Sequence, residues 1–271
     1  MQKIKKSILH YASQSENYEL VNYLISLNID INAKDDEEKS ILHYLCQNGN
    51  YDIVKHISNI DEANFDVKDN DSRTLLHEAC SSENVELVKF LVETGRVDVR
   101  AKDKNEKTLL HESYDNLQLL QYLISLDKIN INDKDDEGNT VFLNAAFYGY
   151  ANIVKYLTTI PEVDITVQNS DGKNALHFLV ENDNLLLVSY LVKMNKIPLA
   201  QTDNNKKNLL HYACENKKID ILKFLISLGE IDLDARDDEN ETLLHITCKN
   251  GYLESTNYLY KLNKIDINTK D

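Results

Sequence analysis

Apolar residues follow one pattern that returns along the whole chain. In the clearest copy, Leu75 and Ala79 share one helix face, and a second, more apolar segment runs from 85 to 92. Thr74 stands where a helix N-cap is expected, and Gly95 stands where a left-handed helix stop is expected. Residues 97–99 then alternate apolar and polar before a polar tip. Each copy therefore predicts a short helix, a turn, a longer helix, a short strand and a tip.

The pattern repeats at a nearly constant period. Counted from the residue after each predicted N-cap, the copies start at 8, 41, 75, 109, 141, 175, 209 and 243, in steps of 32 to 34 residues. Such a period predicts a solenoid of stacked units, each burying its apolar face against its neighbours. We expect a single domain over 1–271, with copies at about 7–39, 40–73, 74–107, 108–139, 140–173, 174–207, 208–241 and 242–271.

The residues that recur resemble the ankyrin repeat. The resemblance rests on the Leu-Leu-His at 75–77, on Ala79-Cys80, on Leu87-Val88, and on the Asp-Ile-Asn exits at 30–32 and 266–268. The motif proline of that family is absent here. The turn glycine is kept as Gly49, Gly149 and Gly251, and the tip glycine is kept as Gly138 and Gly172.

This resemblance implies an all-α fold, an ankyrin-repeat solenoid of stacked helix-turn-helix units with β-hairpin-like loops. It implies that the histidine of each Leu-Leu-His motif hydrogen-bonds to the neighbouring hairpin. It also implies that the residues closing each first helix line a concave face beside the hairpin tips. We therefore expect a non-catalytic module, a scaffold or adaptor that binds a protein partner on this face.

Charge and composition narrow the class of partner. The formal net charge is −15, which argues against a protein whose main role is to bind phosphate backbones. We expect a protein partner of basic or mixed charge, and neither nucleic acid binding nor membrane insertion. No apolar segment reaches membrane-spanning length, and residues 1–6 do not resemble a signal peptide. We therefore expect the protein to be located in the cytoplasm, with the nucleus as the alternative.

The cysteines raise the question of a metal site. All four, Cys46, Cys80, Cys214 and Cys248, occupy the same position of the repeat and lie three residues after a histidine. Residues three apart share a helix face, so each pair could ligate zinc. The histidine also occurs in copies without cysteine, which favours a structural role. We expect buried reduced cysteines, no metal, no cofactor and no catalytic residue.

Two sets of residues are candidates for binding. The fifth copy has Phe147 and Tyr148 where other copies have polar residues, followed by Tyr150, and aromatic anchors are favoured at binding hot spots. The alternative is that the Phe147 and Tyr148 rings fold over the gap left by the fourth copy, which is two residues short. The second set is acidic and lies at the hairpin tips: Asp36, Glu37, Asp136, Glu137, Asp238 and Glu239.

Two further interpretations of the whole chain stay open at this point. An ankyrin-like array can be the regulatory or targeting arm of a larger enzyme, channel or transporter. It can also be a structural component of a large assembly. His56, the one histidine outside the motif, occupies a position that is aromatic in the other copies, so we expect it to pack against a ring.

Overall fold

The computed structural model describes residues 5–15, 17–267 and 269–270. Within them the helices come in pairs, as the apolar pattern predicts. The first helices are α1 (Ile8–Gln14), α3 (Ile41–Gln47), α5 (Leu75–Ser81), α8 (Val141–Tyr148), α10 (Ala175–Glu181), α12 (Leu209–Glu215) and α14 (Leu243–Lys249). The second helices are α2 (Tyr18–Ser26), α4 (Tyr51–Ile57), α6 (Val85–Glu93), α7 (Leu117–Ser125), α9 (Ala151–Leu157), α11 (Leu185–Met194), α13 (Ile219–Leu228) and α15 (Leu253–Lys261).

The expected helix ends are confirmed in the third copy. Thr74 is the N-cap of α5 with extended backbone, and Gly95 follows α6 with φ of +65°. The expected strand at 97–99 was wrong, because these residues form a bend and the start of a turn. Three residues with no facing partner strand cannot form a β-ladder. In the described residues, pairing at the loops is limited to isolated bridges such as Lys68 with Thr74.

The helix pairs form two compact units. Unit 1 (Met1–Asp136) stacks α1, α3 and α5 side by side, and each first helix packs on the second helix of its own copy. Unit 2 (Glu137–Asp271) repeats the arrangement with α8, α10, α12 and α14. In most copies the leucine after the first apolar residue is almost fully buried, at 2% exposure or less in Leu42, Leu76, Leu110, Leu176 and Leu210. This repeated burial is the expected energetic basis of a solenoid.

The fourth copy differs from the others at its first helix. Its missing residues reduce that helix to a three-residue 3-10 turn, His111–Ser113, which still packs on α5. Thr108 and His111 keep their usual contact, at 2.9 Å between Oγ1 and Nδ1. The shortening is therefore absorbed after the motif histidine.

The turn between the two helices of a copy keeps the backbone conformation that glycine favours, even in copies where another residue has replaced the glycine. Gly49, Gly149 and Gly251 have φ of +68°, +74° and +71°, and the residues replacing them in other copies, such as Glu83 and Lys217, have φ of +60° and +57°. Non-glycine residues pay a steric cost in this region. The turns are thus retained under strain rather than rebuilt.

The expected burial of the cysteines holds for three of the four. Cys46, Cys80 and Cys214 are buried, and burial raises the pKa of each thiol above its usual range. Cys248 is exposed, so that expectation was wrong for this residue. Among the described residues, no further helix covers the outer side of α14 as α14 covers α12. Asn268, part of the last exit motif, lies outside the described residues.

Candidate functional site

The ends of the first helices lie beside the hairpin tips in both units, and we refer to this surface as the first-helix face. In unit 2, hairpin Lys173 pairs with Glu181 at the end of α10 at 3.1 Å. Likewise, Lys249 at the end of α14 pairs with hairpin Glu241 at 2.9 Å. Side chains from the tips and from the first helices therefore share one surface.

The predicted aromatic anchor forms a ring cluster on the first-helix face of unit 2. Phe147 and Tyr148 close α8, and their rings meet edge to face with centroids 4.9 Å apart. Phe147 also meets Phe178 of the next copy at 5.4 Å, and Tyr148 lies 6.1 Å from Tyr150. The side-chain amide of Asn182 donates to the carbonyl of Phe147.

The rings of Phe147 and Tyr148 both reach solvent. Phe147 is 43% exposed and Tyr148 is 54% exposed. A group of large apolar side chains with this exposure is typical of an interaction site. The edge contact with Phe178 packs one side of Phe147 and leaves the cluster accessible, and partner binding there stays a prediction.

The acidic tips are held by main-chain hydrogen bonds between neighbouring hairpins. Asn70 N–H donates to the carbonyl of Glu37, and Ser170 N–H donates to that of Glu137. Asp136 and Asp238 donate their own N–H groups to the carbonyls of Asn105 and Asn205. One such bond per junction fixes the spacing of the tips within each unit. This ladder was not visible in the sequence, because it uses backbone groups only.

The side chains at these tips point to solvent in most cases. Asp36, Asp136, Glu137, Asp238 and Glu239 are exposed, and Glu37 is half-buried. The carboxylate of Asp36 accepts from the Lys5 N–H at 3.1 Å, and Glu239 lies 3.7 Å from the Lys249 ammonium. The structure therefore places the tip acids on the surface of each unit.

A buried charge cluster in unit 1 was missed by sequence reasoning. Arg73 precedes the N-cap of α5, and its guanidinium lies 2.8 Å from Glu112, 3.4 Å from Glu78 and 3.9 Å from Asp103. It also donates to the carbonyl of His77 and to Ser81 Oγ, at 3.3 and 2.9 Å. The one signal in the sequence is that Glu78 and Glu112 occupy a position that is apolar or aromatic in most other copies.

The electrostatics of this cluster hold Arg73 and Glu112 in their charged forms. Burial alone would lower the pKa of Arg73, but Glu112, Glu78 and Asp103 raise it. Burial alone would raise the pKa of Glu112, but Arg73 and the Ser81 hydroxyl bring it below the usual range. Lys39 also pairs with Glu78, at 3.3 Å. Charges this well partnered are expected to rigidify the surface.

In unit 2 the repeat position of Arg73 is occupied by lysines, and open space remains beside them. Lys173 and Lys207 precede the N-caps of α10 and α12 and pair with Glu181 and Glu215. A cavity of about 390 Å³ lies between these two pairs. It is lined by Asp171, Lys173, Glu181, Asp203, Asn204, Asn205, Lys207, Tyr212, Glu215 and Asn216.

The motif histidines act as helix caps, and His10, His43 and His77 among them also reach the neighbouring hairpin. His77 Nδ1 accepts from the Thr74 N–H at 3.2 Å, so the proton is on Nε2, which lies 3.2 Å from the Lys107 carbonyl. His10 and His43 make the same bonds, with Nε2 at 3.0 and 3.4 Å from the carbonyls of Lys39 and Arg73. The role implied by the ankyrin resemblance is confirmed for these three.

The two asparagine-capped copies differ in this respect. His177 and His211 lie with Nδ1 2.8 Å from the side-chain oxygens of Asn174 and Asn208. Their Nε2 atoms are buried and have no hydrogen-bond partner among the described residues. Across the described residues, no three His, Cys, Asp or Glu side chains lie close enough together to hold a metal ion.

A larger cavity lies away from the first-helix face of unit 1. It measures about 740 Å³, is walled by residues of α2 and α4 and the turns before α4 and α6, and includes Tyr18, Tyr51 and His56. The His56 ring meets the Tyr18 ring edge to face at 6.1 Å, so its ring packing is confirmed, although its side chain is exposed. None of the predicted binding residues lines this cavity.

The sequence matches the models of one protein family along most of its length. Models described as ankyrin repeats match residues 9–55, 42–135, 112–202, 142–237 and 198–271. The chain belongs to the ankyrin repeat family. Ankyrin repeats are generally non-catalytic and generally serve in protein–protein interaction. No curated protein gives a significant match to the chain. No helix in the described part of the chain is long and apolar enough to cross a bilayer.

Proposed function

We propose that this protein is a scaffold or adaptor that binds a protein partner on the first-helix face of unit 2. The aromatic cluster Phe147, Tyr148 and Tyr150 is the anchor, and the acidic tips Glu137, Asp238 and Glu239 supply polar complementarity. The tips Asp36, Glu37 and Asp136 play the same part in unit 1. The partner is basic or of mixed charge, which suits a chain of net charge −15.

One observation carries this proposal. Phe147 is 43% exposed at a position where the other copies have Gln14, Gln47, Ser81, Glu181, Glu215 and Lys249. An exposed ring in a series of polar residues has no packing role that the other copies require. Aromatic side chains at accessible, partly preformed clusters are the residues that dominate binding energies at interfaces.

The test compares baits that differ only at the cluster. The chain and its Phe147→Ala/Tyr148→Ala variant are each used to capture partners from the native source. Leu186→Ala is the matched control, because Leu186 is 86% exposed and lies on second helix α11 of the same unit. We expect the double variant alone to lose specific partners while its helical circular dichroism is unchanged. Identical partner sets for all three baits would remove the cluster from consideration.

A further inference from the structure

Unit 1 contains an arginine seated in a groove built from its own first helices and tips. The Arg73 guanidinium engages Glu112, Glu78, Asp103, Ser81 and the His77 carbonyl. A guanidinium offers five N–H donors in a fixed plane, and this groove uses them on several sides. The first-helix face of this fold can therefore accommodate a guanidinium closely.

Unit 2 has a smaller cation at the same position and different acceptors around it, because Tyr212 and Ile246 stand where unit 1 has Glu78 and Glu112. Lys207 stands at the position of Arg73, and Glu215 at the position of Ser81. An ammonium has three donors at a single point, and among the described residues Lys207 pairs only with Glu215. The space that remains is the cavity of about 390 Å³ between the Lys173–Glu181 and Lys207–Glu215 pairs.

A buried carboxylate beside Lys207 lacks the partner that its counterpart has in unit 1. Asp237 is 4% exposed, and its Oδ1 accepts from the N–H groups of Glu239 and Glu241. Its Oδ2 has no hydrogen-bond partner among the described residues. The counterpart Asp103 has the Arg73 guanidinium at 3.9 Å from Oδ2. Asp237 does not line the cavity, so its unpaired oxygen shows that Lys207 fills the position of Arg73 incompletely and does not mark where a ligand binds.

The two cavity glutamates also keep acceptor capacity. Lys173 pairs with Oε2 of Glu181, and Lys207 pairs with Oε1 of Glu215. The second oxygen of each carboxylate has no partner within the described residues. Counting Asp171 and Asp203, four carboxylates and two ammonium groups line the cavity, which leaves it with net negative charge.

We propose that this cavity in unit 2 binds an arginine side chain of the protein partner, with Glu181 and Glu215 in the role that Glu78 and Glu112 have toward Arg73 in unit 1. The proposal rests on the proposed function and specifies the partner chemistry. The guanidinium lies between Glu181 and Glu215 and donates to their second oxygens in the short, charge-assisted geometry that arginine favours with carboxylates.

The aromatic cluster adjoins this cavity, so it would contact the residues next to the arginine in the partner's sequence. Phe147 meets Phe178, and the Lys173 ammonium lies 5.7 Å from the Phe178 ring and 5.1 Å from the Tyr212 ring. The rings therefore continue from the exposed cluster to the wall of the cavity. A partner segment with an apolar side chain on Phe147 and Tyr148 and an arginine in the cavity matches both features.

The experiment uses the full chain as bait for a displayed library of random twelve-residue peptides. Enriched peptides are then measured against four variants by fluorescence anisotropy. Glu181→Gln/Glu215→Gln removes the acceptor charges, and Lys207→Arg supplies the chain's own guanidinium to the groove. Lys206→Arg is the matched control at the exposed neighbouring tip position, and Phe147→Ala/Tyr148→Ala removes the rings. Thermal unfolding of each variant checks its fold.

We expect enriched peptides to share an arginine near an apolar residue. Binding should fall at least about tenfold with the glutamine variant, because a desolvated charge pair is lost. It should also fall with Lys207→Arg, which blocks the groove while keeping its charge, and it should be unchanged with Lys206→Arg. Replacing the peptide arginine with citrulline should abolish the effect of the glutamine variant.

Two outcomes would overturn the inference in different ways. Peptides without arginine that depend on Phe147 and Tyr148 would contradict the arginine site and leave the proposed function standing. No enrichment, or binding that is unaffected by all four variants, would count against both.

Discussion

At the scale of single residues, the motif histidines of the first three copies join two structural tasks. In His10, His43 and His77, one ring nitrogen caps the first helix and the other lies against a carbonyl of the hairpin that follows. Both bonds require the neutral ring with its proton on Nε2. Burial lowers the pKa of His43 and of His177 to about 4 in each case, and it also lowers the pKa of His77 and His211.

These pKa values predict a loss of stability in mild acid. The folded pKa of His43 and His177 is about 4, and an unfolded histidine titrates near 6.5, so the unfolded chain binds more protons between these values. Stability is then complete above pH 6.5 and falls toward pH 4. At pH 5 we expect a loss of about 2 kcal/mol for each of the two residues.

Urea unfolding at pH 7.5, 6.5, 5.5 and 5.0 measures this loss. A His43→Gln variant should be less stable at pH 7.5, because the cap is weakened, and should lose less on acidification. A free energy of unfolding that is the same at pH 5 and pH 7.5 would contradict the prediction.

At the scale of structural elements, the inter-helix turn keeps its shape after losing its glycine. Gly49 and Gly149 are replaced by Glu83 and Lys217 in other copies, with φ values of +60° and +57°. Glycine adopts this conformation without a side-chain penalty, and other residues do so at a cost. The surrounding helices therefore impose the turn on a sequence that does not favour it.

Restoring the glycine should stabilise the protein. Glu83 is exposed, so Glu83→Gly and Glu83→Ala remove the same carboxylate, and only the glycine relieves the positive φ. We expect the glycine variant to exceed the alanine variant by about 1 kcal/mol in free energy of unfolding. Urea titrations of the two variants and the parent decide the order. Equal stability of the two would show that the turn is not strained.

Much of the fold at this scale was predictable from the sequence. The helix pairs, the Thr74 cap and the Gly95 stop follow from local rules and a repeated pattern, and the histidine contacts were implied by the resemblance to the ankyrin repeat. The failed strand at 97–99 and the exposure of Cys248 depend on what lies next to a segment, which a local pattern does not contain. The groove around Arg73 was missed because it combines residues of two copies, Glu78 and Glu112, that no single repeat displays together.

The candidate site was predictable only as a set of surface positions. Phe147 and Tyr148 stood out because the other copies are polar there, and the structure shows their exposure. The tip acids stood out by charge, but their spacing is fixed by main-chain bonds such as that from Asn70 to Glu37. Backbone hydrogen bonds carry no residue signature, so the sequence gives no indication of them.

At the scale of the whole molecule, charge opposes the fold. The chain has 45 acidic and 30 basic residues, for a formal net charge of −15. A large net charge destabilises a compact state by self-repulsion. Many of its ion pairs are partly exposed, such as Lys104 with Asp71, and exposed pairs contribute little.

We therefore expect added salt to stabilise the protein. The midpoint of urea unfolding should rise between about 20 mM and about 300 mM NaCl, as the Debye length shortens from roughly 20 Å to about 6 Å. The measurement is made at pH 7.5, above the pH range in which His43 and His177 change the stability. A falling midpoint would mean that the ion pairs, Arg73 with its carboxylates above all, outweigh the repulsion. In that case an Arg73→Met variant should remove most of the decrease.

A single mutation at the repeat position of Arg73 can change which partners such an array binds. Lysine and arginine codons differ by a single base. If an arginine of the partner occupies the cavity beside Lys207, one point mutation at that codon closes the groove with the chain's own side chain. The reverse mutation at Arg73 would open one, with the backbone and the helix stacking preserved. The residue before the N-cap of each first helix is then the place where an array can gain or lose partners most easily.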